Sequence, residues 1–277
     1  MPLLHAVVLG ILQGLSEFLP ISSSGHLALA PWLLGWNDYG ANQTLEKSFT
    51  VALHMGTLVA VVGYFWKELI ALTRAGIGDV IGRRGLSTEG RLAWLLLFSA
   101  VPAAIIGALF NDTVDSLSTH VVVIGVMLIV FGGVLWWFDS FLGQRTGEHW
   151  TMKHATYMGL AQAAALQPGV SRSGATMTVA LGLRYRRDEA ARLSFLMSVP
   201  VIAGAGLFEG AKLFGEGGVP SGYMSAFVAG FIAAALSGWF AIWFVFKVVR
   251  SVSFVPFAIY RIALGVAVLV VAATHLR

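Results

Sequence analysis

Six apolar runs, each long enough to cross a lipid bilayer, constrain this sequence more than any other feature. A transmembrane helix needs about 20 consecutive apolar residues, and such runs occur near 49–66, 93–110, 120–138, 193–213, 225–246 and 255–275. Only 12% of the residues are charged and the mean hydropathy is +0.78, whereas about 25% of the residues in a soluble domain are charged. We therefore predict an all-α polytopic membrane protein with six transmembrane helices.

Two further apolar segments, 3–35 and 155–183, are interrupted at their middle by Pro, Gly and Ser. Each half is about 10 to 15 residues long, which is too short to span the bilayer alone. We interpret each segment as helix, break, helix, and predict that both form re-entrant helical hairpins. A chain with eight or more full spans is the alternative interpretation.

The two broken segments share a sequence pattern. Five residues of the first recur 149 positions later, with Gly10, Gln13, Ser22, Ser24 and Gly25 matched by Gly159, Gln162, Ser171, Ser173 and Gly174. This recurrence predicts a duplicated element that has since diverged. We therefore predict one integral membrane domain made of two repeats, about 1–138 and 155–277.

The lysines and arginines predict the topology, because loops on the cytoplasmic side carry most of them. If 67–92 is a cytoplasmic loop and both broken segments re-enter, thirteen of the 18 basic residues lie inside. The loop 111–119, which holds Asp112 and Asp115 but no Lys or Arg, then lies outside. The two repeats would have opposite orientations, an arrangement common in transporters, where the breaks meet near the midplane.

Composition excludes several other classes of protein. The chain contains no cysteine, so disulfides, thiolate catalysis and Cys-ligated metals are excluded. The sequence pI is about 9.6, which is typical of nucleic-acid binders, but the basic residues fall in loops between apolar runs. We therefore predict a lipid bilayer and no nucleic acid as partner.

The breaks place polar and ionisable side chains within apolar sequence, which is costly and usually marks a functional site. Each second half-helix begins after a serine-rich break, so its free N–H groups and positive dipole end point toward the membrane centre. Such helix ends bind phosphate, and Arg172 adds a planar fork of donors suited to phosphate oxygens. We predict an anionic ligand carrying phosphate. The serines that would cap these half-helices are Ser22, Ser23, Ser24, Ser171 and Ser173.

A carboxylate and an imidazole accompany the first break. Gln13 and Glu17 are four residues apart and share one helix face. A carboxylate beside an anion needs a proton or a cation between them, and Mg²⁺ or Ca²⁺ accepts carboxylate, amide and phosphate oxygens as ligands. We predict a divalent cation held by Glu17 and Gln13. His26 is placed to protonate a leaving group or to attack phosphorus.

Other interpretations of these residues stay open. The serines can be helix caps and nothing more, Arg172 can form a structural ion pair with Glu17, and His26 can simply bond a backbone carbonyl. His54 and Arg261 also lie within apolar runs. They either support the site or serve packing and snorkelling.

The two motifs closely resemble the signatures of the undecaprenyl-diphosphate phosphatases, the bacitracin-resistance family. The first stands here as Gln13-Gly-Leu-Ser-Glu17-Phe-Leu-Pro20-Ile-Ser22-Ser23-Ser24-Gly25-His26. The second stands as Pro168-Gly-Val-Ser171-Arg172-Ser173-Gly174-Ala175-Thr176, and the resemblance continues to Phe254-Val-Pro-Phe-Ala-Ile-Tyr-Arg261. One departure is Gln13, where many members have a glutamate, because an amide ligates a cation but cannot act as a base.

The resemblance implies a metal-dependent phosphatase of the bacterial plasma membrane whose site faces the periplasm. It would hydrolyse undecaprenyl diphosphate to the monophosphate and inorganic phosphate, recycle this lipid carrier for peptidoglycan synthesis, and confer resistance to bacitracin, which competes for the substrate rather than binding the protein. The implied catalytic residues are Glu17, His26, Arg172 and Ser23. The implied substrate-binding residues are Ser22, Ser24, Gly25, Ser171, Ser173, Gly174 and Thr176. Whether His26, a serine or water attacks stays open, as does a homodimer.

Two rival functions share some of these sequence features. The phosphatidic acid phosphatase type also combines Ser-Gly-His with Ser-Arg, but the sixth residue after Arg172 is Thr178 rather than the expected His, so we reject it. The rival from another class is a lipid-phosphate flippase or anion transporter, which the architecture alone favours. A Glu-His-Arg set converging on one phosphate favours the enzyme.

Overall fold

The structure is a computed structural model that describes residues 1–40, 42–82, 85–110, 120–141, 143–215, 218–220, 222–249 and 251–274. Within these ranges the regular elements are helices, which confirms the predicted all-α fold. The eleven α-helices of the described ranges are α1 (Leu3–Phe18), α2 (Ser23–Leu34), α3 (Gln43–Tyr64), α4 (Trp66–Gly82), α5 (Thr88–Leu109), α6 (Val121–Asp139), α7 (Met152–Ala164), α8 (Arg172–Gly182), α9 (Arg187–Gly215), α10 (Met224–Val248) and α11 (Val255–Ala273).

Six of these helices, α3, α5, α6, α9, α10 and α11, are long and apolar enough to cross a membrane. The prediction of six spans is therefore confirmed. Some helices begin before their apolar runs because polar residues form the first turn. The side chain of Asn42 caps α3 by accepting a hydrogen bond from the Leu45 N–H at 3.0 Å. Ser87 caps α5 in the same way through the Gly90 N–H at 3.1 Å.

The two segments predicted to be broken are broken. The first forms α1 and α2, of 16 and 12 residues, and the second forms α7 and α8, of 13 and 11 residues. At 1.5 Å per residue, even a 16-residue helix reaches only about 24 Å, less than the roughly 30 Å of a bilayer core. The prediction of helix, break, helix is confirmed, and re-entry stays a prediction.

One helix was missed by the sequence analysis. The segment 67–92, for which no helix was predicted, contains most of α4, and its cytoplasmic location stays a prediction. Charged residues lower the hydropathy of α4 below that of a span, although its sequence is compatible with a helix. The helix packs against α5, and the Trp94 indole N–H donates to the Gly76 carbonyl at 3.2 Å.

Corresponding helices of the two predicted repeats pack on partners in the same way. Helix α1 packs along α10, and its counterpart α7 packs along α5. A Cβ on Gly10 would collide with the Gly230 carbonyl of α10, and a Cβ on Gly159 would lie 2.6 Å from the Ser99 carbonyl oxygen of α5. Glycine at both positions therefore permits close helix contact. The inverted orientation of the repeats stays a prediction, and the predicted outside loop 111–119 lies outside the described residues.

A partly buried ion pair links three helix ends at one side of the molecule. The Arg187 guanidinium at the start of α9 donates to Asp139 at the end of α6, with Nε–Oδ1 and Nη2–Oδ2 distances of 2.8 and 3.0 Å. The Phe254 N–H, just before α11, donates to the same carboxylate at 3.2 Å. These bonds fix the helices that surround α8, which carries part of the candidate site.

Candidate active site at the two helix breaks

The two breaks end in the same local structure. Ser22 and Ser171 precede α2 and α8 with φ values of 78° and 72°, a conformation that non-glycine residues adopt only at a cost. Each serine side chain accepts a hydrogen bond from the backbone N–H three residues later, that of Gly25 at 3.3 Å and that of Gly174 at 3.1 Å. The two half-helices therefore begin with matching caps, as the recurring sequence predicts.

Glu17 is the centre of a buried hydrogen-bonded cluster. Its side chain is 5% exposed, and Oε2 accepts a hydrogen bond from the Ser23 hydroxyl at 2.6 Å and from the Gln13 amide at 3.0 Å. Oε1 accepts from Arg172 Nη2 at 3.1 Å. The break thus brings together four of the residues singled out from the sequence, two of which lie 155 positions apart.

The contact between Glu17 and Arg172 is the ion pair that the sequence analysis left open as a structural alternative. The second arm of the guanidinium, Nη1, donates to the Ser194 carbonyl of α9 at 3.1 Å. Arg172 is therefore held between a carboxylate and a backbone carbonyl. A phosphate would compete with Glu17 for the same fork of donors.

Thr176 lies behind Arg172 rather than at the surface of the break. It is fully buried, and its hydroxyl donates to the Arg172 carbonyl at 2.8 Å and lies 2.7 Å from the Ser194 hydroxyl. These contacts support the arginine and leave the hydroxyl unavailable to a ligand in this conformation. The Ser173 hydroxyl donates to the Leu19 carbonyl at 3.0 Å and so joins the start of α8 to the first break.

His54 of α3 belongs to the cluster, which the sequence could not establish. Its Nε2 lies 3.7 Å from Glu17 Oε2, and its Nδ1 lies 2.8 Å from the Thr50 carbonyl oxygen. A carbonyl only accepts hydrogen bonds, so Nδ1 carries a proton, and Nε2 is the ring nitrogen that faces Glu17. The only sequence signal for this residue was an imidazole inside an apolar run.

His26 does not contact Glu17 or Arg172 in this conformation. Its Nδ1 lies 2.7 Å from the Ser22 carbonyl oxygen, and its Nε2 lies 2.8 Å from the Tyr260 hydroxyl. By the same reasoning Nδ1 donates to the carbonyl, so the neutral ring accepts the Tyr260 hydroxyl proton at Nε2. The predicted bond to a carbonyl is present, and the sequence analysis missed Tyr260 because it lies 234 positions away.

Arg261 lies beside the second break. It is fully buried, and its Nη2 donates to the carbonyl oxygens of Gly169 and Val170 at 2.9 and 2.8 Å. Its Nε and Nη1 have no hydrogen-bond partner among the described residues. Arg261 therefore stabilises the second break, which agrees with the interpretation that it supports the site.

The side chains of Gln13 and Glu17 are compatible with the predicted divalent cation. Gln13 is fully buried, and its amide oxygen has no partner in the described part of the chain. An amide oxygen and a carboxylate are hard donors that suit Mg²⁺ or Ca²⁺, and Mg²⁺ often takes only one or two carboxylates plus phosphate oxygens. Within the described ranges, no group of three or more His, Cys, Asp or Glu residues could hold a metal. The candidate site would therefore need ligands from the substrate.

These features define a class, a polytopic membrane protein whose broken helices gather a carboxylate, hydroxyls and a guanidinium group into one buried polar cluster. The chain belongs to the bacitracin resistance protein BacA family, whose model matches residues 6–267. A relative from Pelotomaculum thermopropionicum is 43% identical over 276 residues, covering 99% of this chain and 98% of its own. Relatives from Aliivibrio salmonicida and Thermomicrobium roseum are each 42% identical, covering 96% of this chain and 96% and 97% of their own. All three are named undecaprenyl-diphosphatase.

Proposed function

We propose that this protein is an undecaprenyl-diphosphatase that hydrolyses the lipid diphosphate to undecaprenyl phosphate and inorganic phosphate. The observation that carries the proposal is the similarity, at 42 or 43% identity over nearly the whole chain, to relatives with that name. The cluster around Glu17 is chemically suited to the reaction. A flippase needs groups that bind an anion, but its mechanism does not require a hydroxyl hydrogen-bonded to a buried carboxylate. The pair of Ser23 and Glu17 therefore favours the phosphatase.

Ser23 and Glu17 form the arrangement of a nucleophile and its base. The Ser23 hydroxyl, which is half-buried, donates to Glu17 at 2.6 Å. In the proposed first step, Ser23 Oγ bonds to the terminal phosphorus, the bond from that phosphorus to the bridging oxygen breaks, and the hydroxyl proton passes to Glu17. Undecaprenyl phosphate leaves. Water then attacks the phosphoserine, the bond from phosphorus to Ser23 Oγ breaks, inorganic phosphate departs, and Glu17 returns its proton to Ser23.

Arg172 and the half-helix N-termini supply the positive groups that phosphoryl transfer requires. Charge spreads over the phosphoryl oxygens in the transition state, and preorganised donors stabilise it. The Arg172 fork would turn from Glu17 to the phosphate when the substrate binds. We assign His26 the role of base toward the attacking water in the second step, because its Nδ1 is held by a carbonyl and its Nε2 is an acceptor.

A divalent cation, Mg²⁺ or Ca²⁺, is part of the proposal, with Glu17 and Gln13 as its protein ligands. When bound, it would neutralise charge on the diphosphate. We expect an excess of chelator to abolish phosphate release from undecaprenyl diphosphate by the detergent-purified protein, and added Mg²⁺ or Ca²⁺ to restore it. The measurement is phosphate release with each ion at matched concentration. A full rate in chelator would show that the cluster works without metal. Lipid bound but never hydrolysed, with either ion present, would point to a carrier.

The Ser23→Ala variant tests the nucleophile. We expect it to bind the substrate but to release phosphate about 10²-fold more slowly or worse, since residual catalysis rests on binding and charge stabilisation alone. Acid quenching during turnover, followed by mass spectrometry of the peptide containing residue 23, should detect phosphoserine in the wild type. The matched control is Ser140→Ala, because the Ser140 hydroxyl is exposed and bonds only its own helix. A Ser23→Ala variant with the wild-type rate would assign the attack directly to water.

We also propose that the protein lies in the bacterial plasma membrane with its site open to the periplasm. The excess of basic residues in alternate loops supports this orientation. Bacitracin would then act by sequestering the substrate rather than by binding the protein, and a homodimer stays a prediction.

A further inference from the structure

The Arg261 guanidinium is a buried charge without a counter-ion. No carboxylate of the described residues lies within ion-pair distance of it, and the side chain is fully buried. Glu17 of the neighbouring cluster is already paired with Arg172. Burying an unpaired charge is costly, since an uncompensated ion in a protein interior loses its hydration. A feature with this cost needs a compensating partner.

The existing hydrogen bonds of Arg261 compensate the charge only in part. Nη2 is shared between the Gly169 and Val170 carbonyls, which would account for a side chain that merely braces the break. Nε and Nη1 are left without partners among the described residues. These two atoms carry three of the five guanidinium N–H groups, so the unsatisfied edge of the fork is larger than the satisfied one.

Nη1, one of the two unsatisfied atoms, lies against the first turn of α8. A Cβ added to Gly174 would lie 2.7 Å from Arg261 Nη1, so glycine at this position lets the guanidinium approach the turn closely. The first turn of α8 also presents free backbone N–H groups and the positive end of its dipole. A buried guanidinium and a helix N-terminus that converge in this way leave an excess of donors and positive charge with no acceptor.

We propose that Arg261 and the first turn of α8 form an anion subsite for one phosphoryl group, separate from the Arg172 fork. This proposal rests on the proposed phosphatase function and deepens it, because a diphosphate offers two phosphoryl groups and the site would offer two guanidinium groups. Arg261 is fully buried in this conformation. The anion therefore enters only when the first turn of α8 moves away from α11.

The neighbouring residue links this subsite to the first break. Tyr260, directly before Arg261 on α11, bonds His26 at the start of α2, while Arg261 bonds the loop before α8. One turn of α11 thus touches both breaks. A phosphoryl group held by Arg261 would lie between the half-helix that carries His26 and the one that carries Arg172.

The test is anion binding by folded variants, measured as the thermal stabilisation that a probe gives to each purified protein. The probes are methylenediphosphonate, inorganic phosphate and farnesyl phosphate, and the variants are Arg261→Met and Arg261→Lys. Because each variant is compared with itself in the absence of probe, a lower starting Tm does not affect the result. The matched control is Arg74→Met, an exposed arginine of α4.

We expect Arg261→Met to bind methylenediphosphonate at least about tenfold more weakly than the wild type, in line with loss of a charge-assisted hydrogen bond to an anion. Arg261→Lys should fall between the two, since it keeps the charge without the fork. Selective loss of the inorganic phosphate response would assign the subsite to the released phosphate, and selective loss of the farnesyl phosphate response would assign it to the lipid-linked one. Unchanged binding of all three probes by Arg261→Met would overturn the proposal and leave Arg261 as a brace for the break.

The failure of this inference can be told apart from failure of the proposed function. If the wild type hydrolyses undecaprenyl diphosphate while Arg261→Met keeps wild-type KM and probe binding, only the subsite is wrong. If the wild type binds the probes through Arg261 yet releases no phosphate from the lipid, the subsite stands and the phosphatase function is wrong.

Discussion

Replacement of Glu17 by glutamine is expected to slow phosphate release by about 10²–10⁴-fold, the usual contribution of a general base. The carboxylate accepts the Ser23 hydroxyl, and in the proposed mechanism it receives that proton as the bond to phosphorus forms. Glutamine has nearly the same shape but cannot take the proton. The measurement is kcat for phosphate release from undecaprenyl diphosphate by the purified variant.

The same substitution also tests the ion pair. Removing one partner of a buried pair typically costs about 3–5 kcal/mol, because the other charge stays buried alone. We therefore expect Glu17→Gln to lower Tm, and the rate must be measured below that Tm. Glu89→Gln, at an exposed glutamate in the first turn of α5, is the matched control. A folded Glu17→Gln variant with the wild-type kcat would exclude the carboxylate from the chemistry.

Arg172→Lys is expected to lower kcat by about 10²–10³-fold, the cost of losing one preorganised donor to the transition state. The planar fork of Arg172 now joins Glu17 to the Ser194 carbonyl, and in the proposed mechanism it turns to the phosphoryl oxygens. Lysine keeps the charge and can still pair with Glu17, so the fold should survive. It cannot donate two parallel hydrogen bonds to a phosphate.

This variant separates the two interpretations of Arg172. If the arginine serves only as an ion pair that holds the hairpins together, lysine should preserve both Tm and kcat. If it serves the reaction, Tm should stay near the wild-type value while kcat falls. The matched control is Arg74→Lys on the exposed face of α4.

Much of the fold follows from local rules that the sequence displays. The six spans follow from length and hydropathy, and the breaks follow from Pro, Gly and Ser inside apolar runs. The caps at Ser22 and Ser171 follow from the recurring pattern, since a serine before a half-helix naturally bonds the N–H three residues later. Glu17 and Gln13 bond each other because residues four apart share a helix face.

The parts that could not be predicted depend on contacts between distant segments. Tyr260 bonds His26 across 234 positions, and no periodicity links the two residues. His54 reaches Glu17 only because α3 packs against α1, and a single imidazole in an apolar run does not specify its neighbour. Helix α4 was missed for another reason, because its charged residues lower its hydropathy below that of a transmembrane helix.

The most direct test of the account uses undecaprenyl diphosphate labelled with ³²P on its terminal phosphate, in proteoliposomes containing the wild type or Glu17→Gln. Label is followed both into inorganic phosphate and, within the lipid, to the opposite leaflet. The account predicts that the wild type with Mg²⁺ releases the label as inorganic phosphate and that Glu17→Gln releases almost none. Label that stays in the lipid and crosses the bilayer, with no inorganic phosphate formed, would contradict it and identify a flippase.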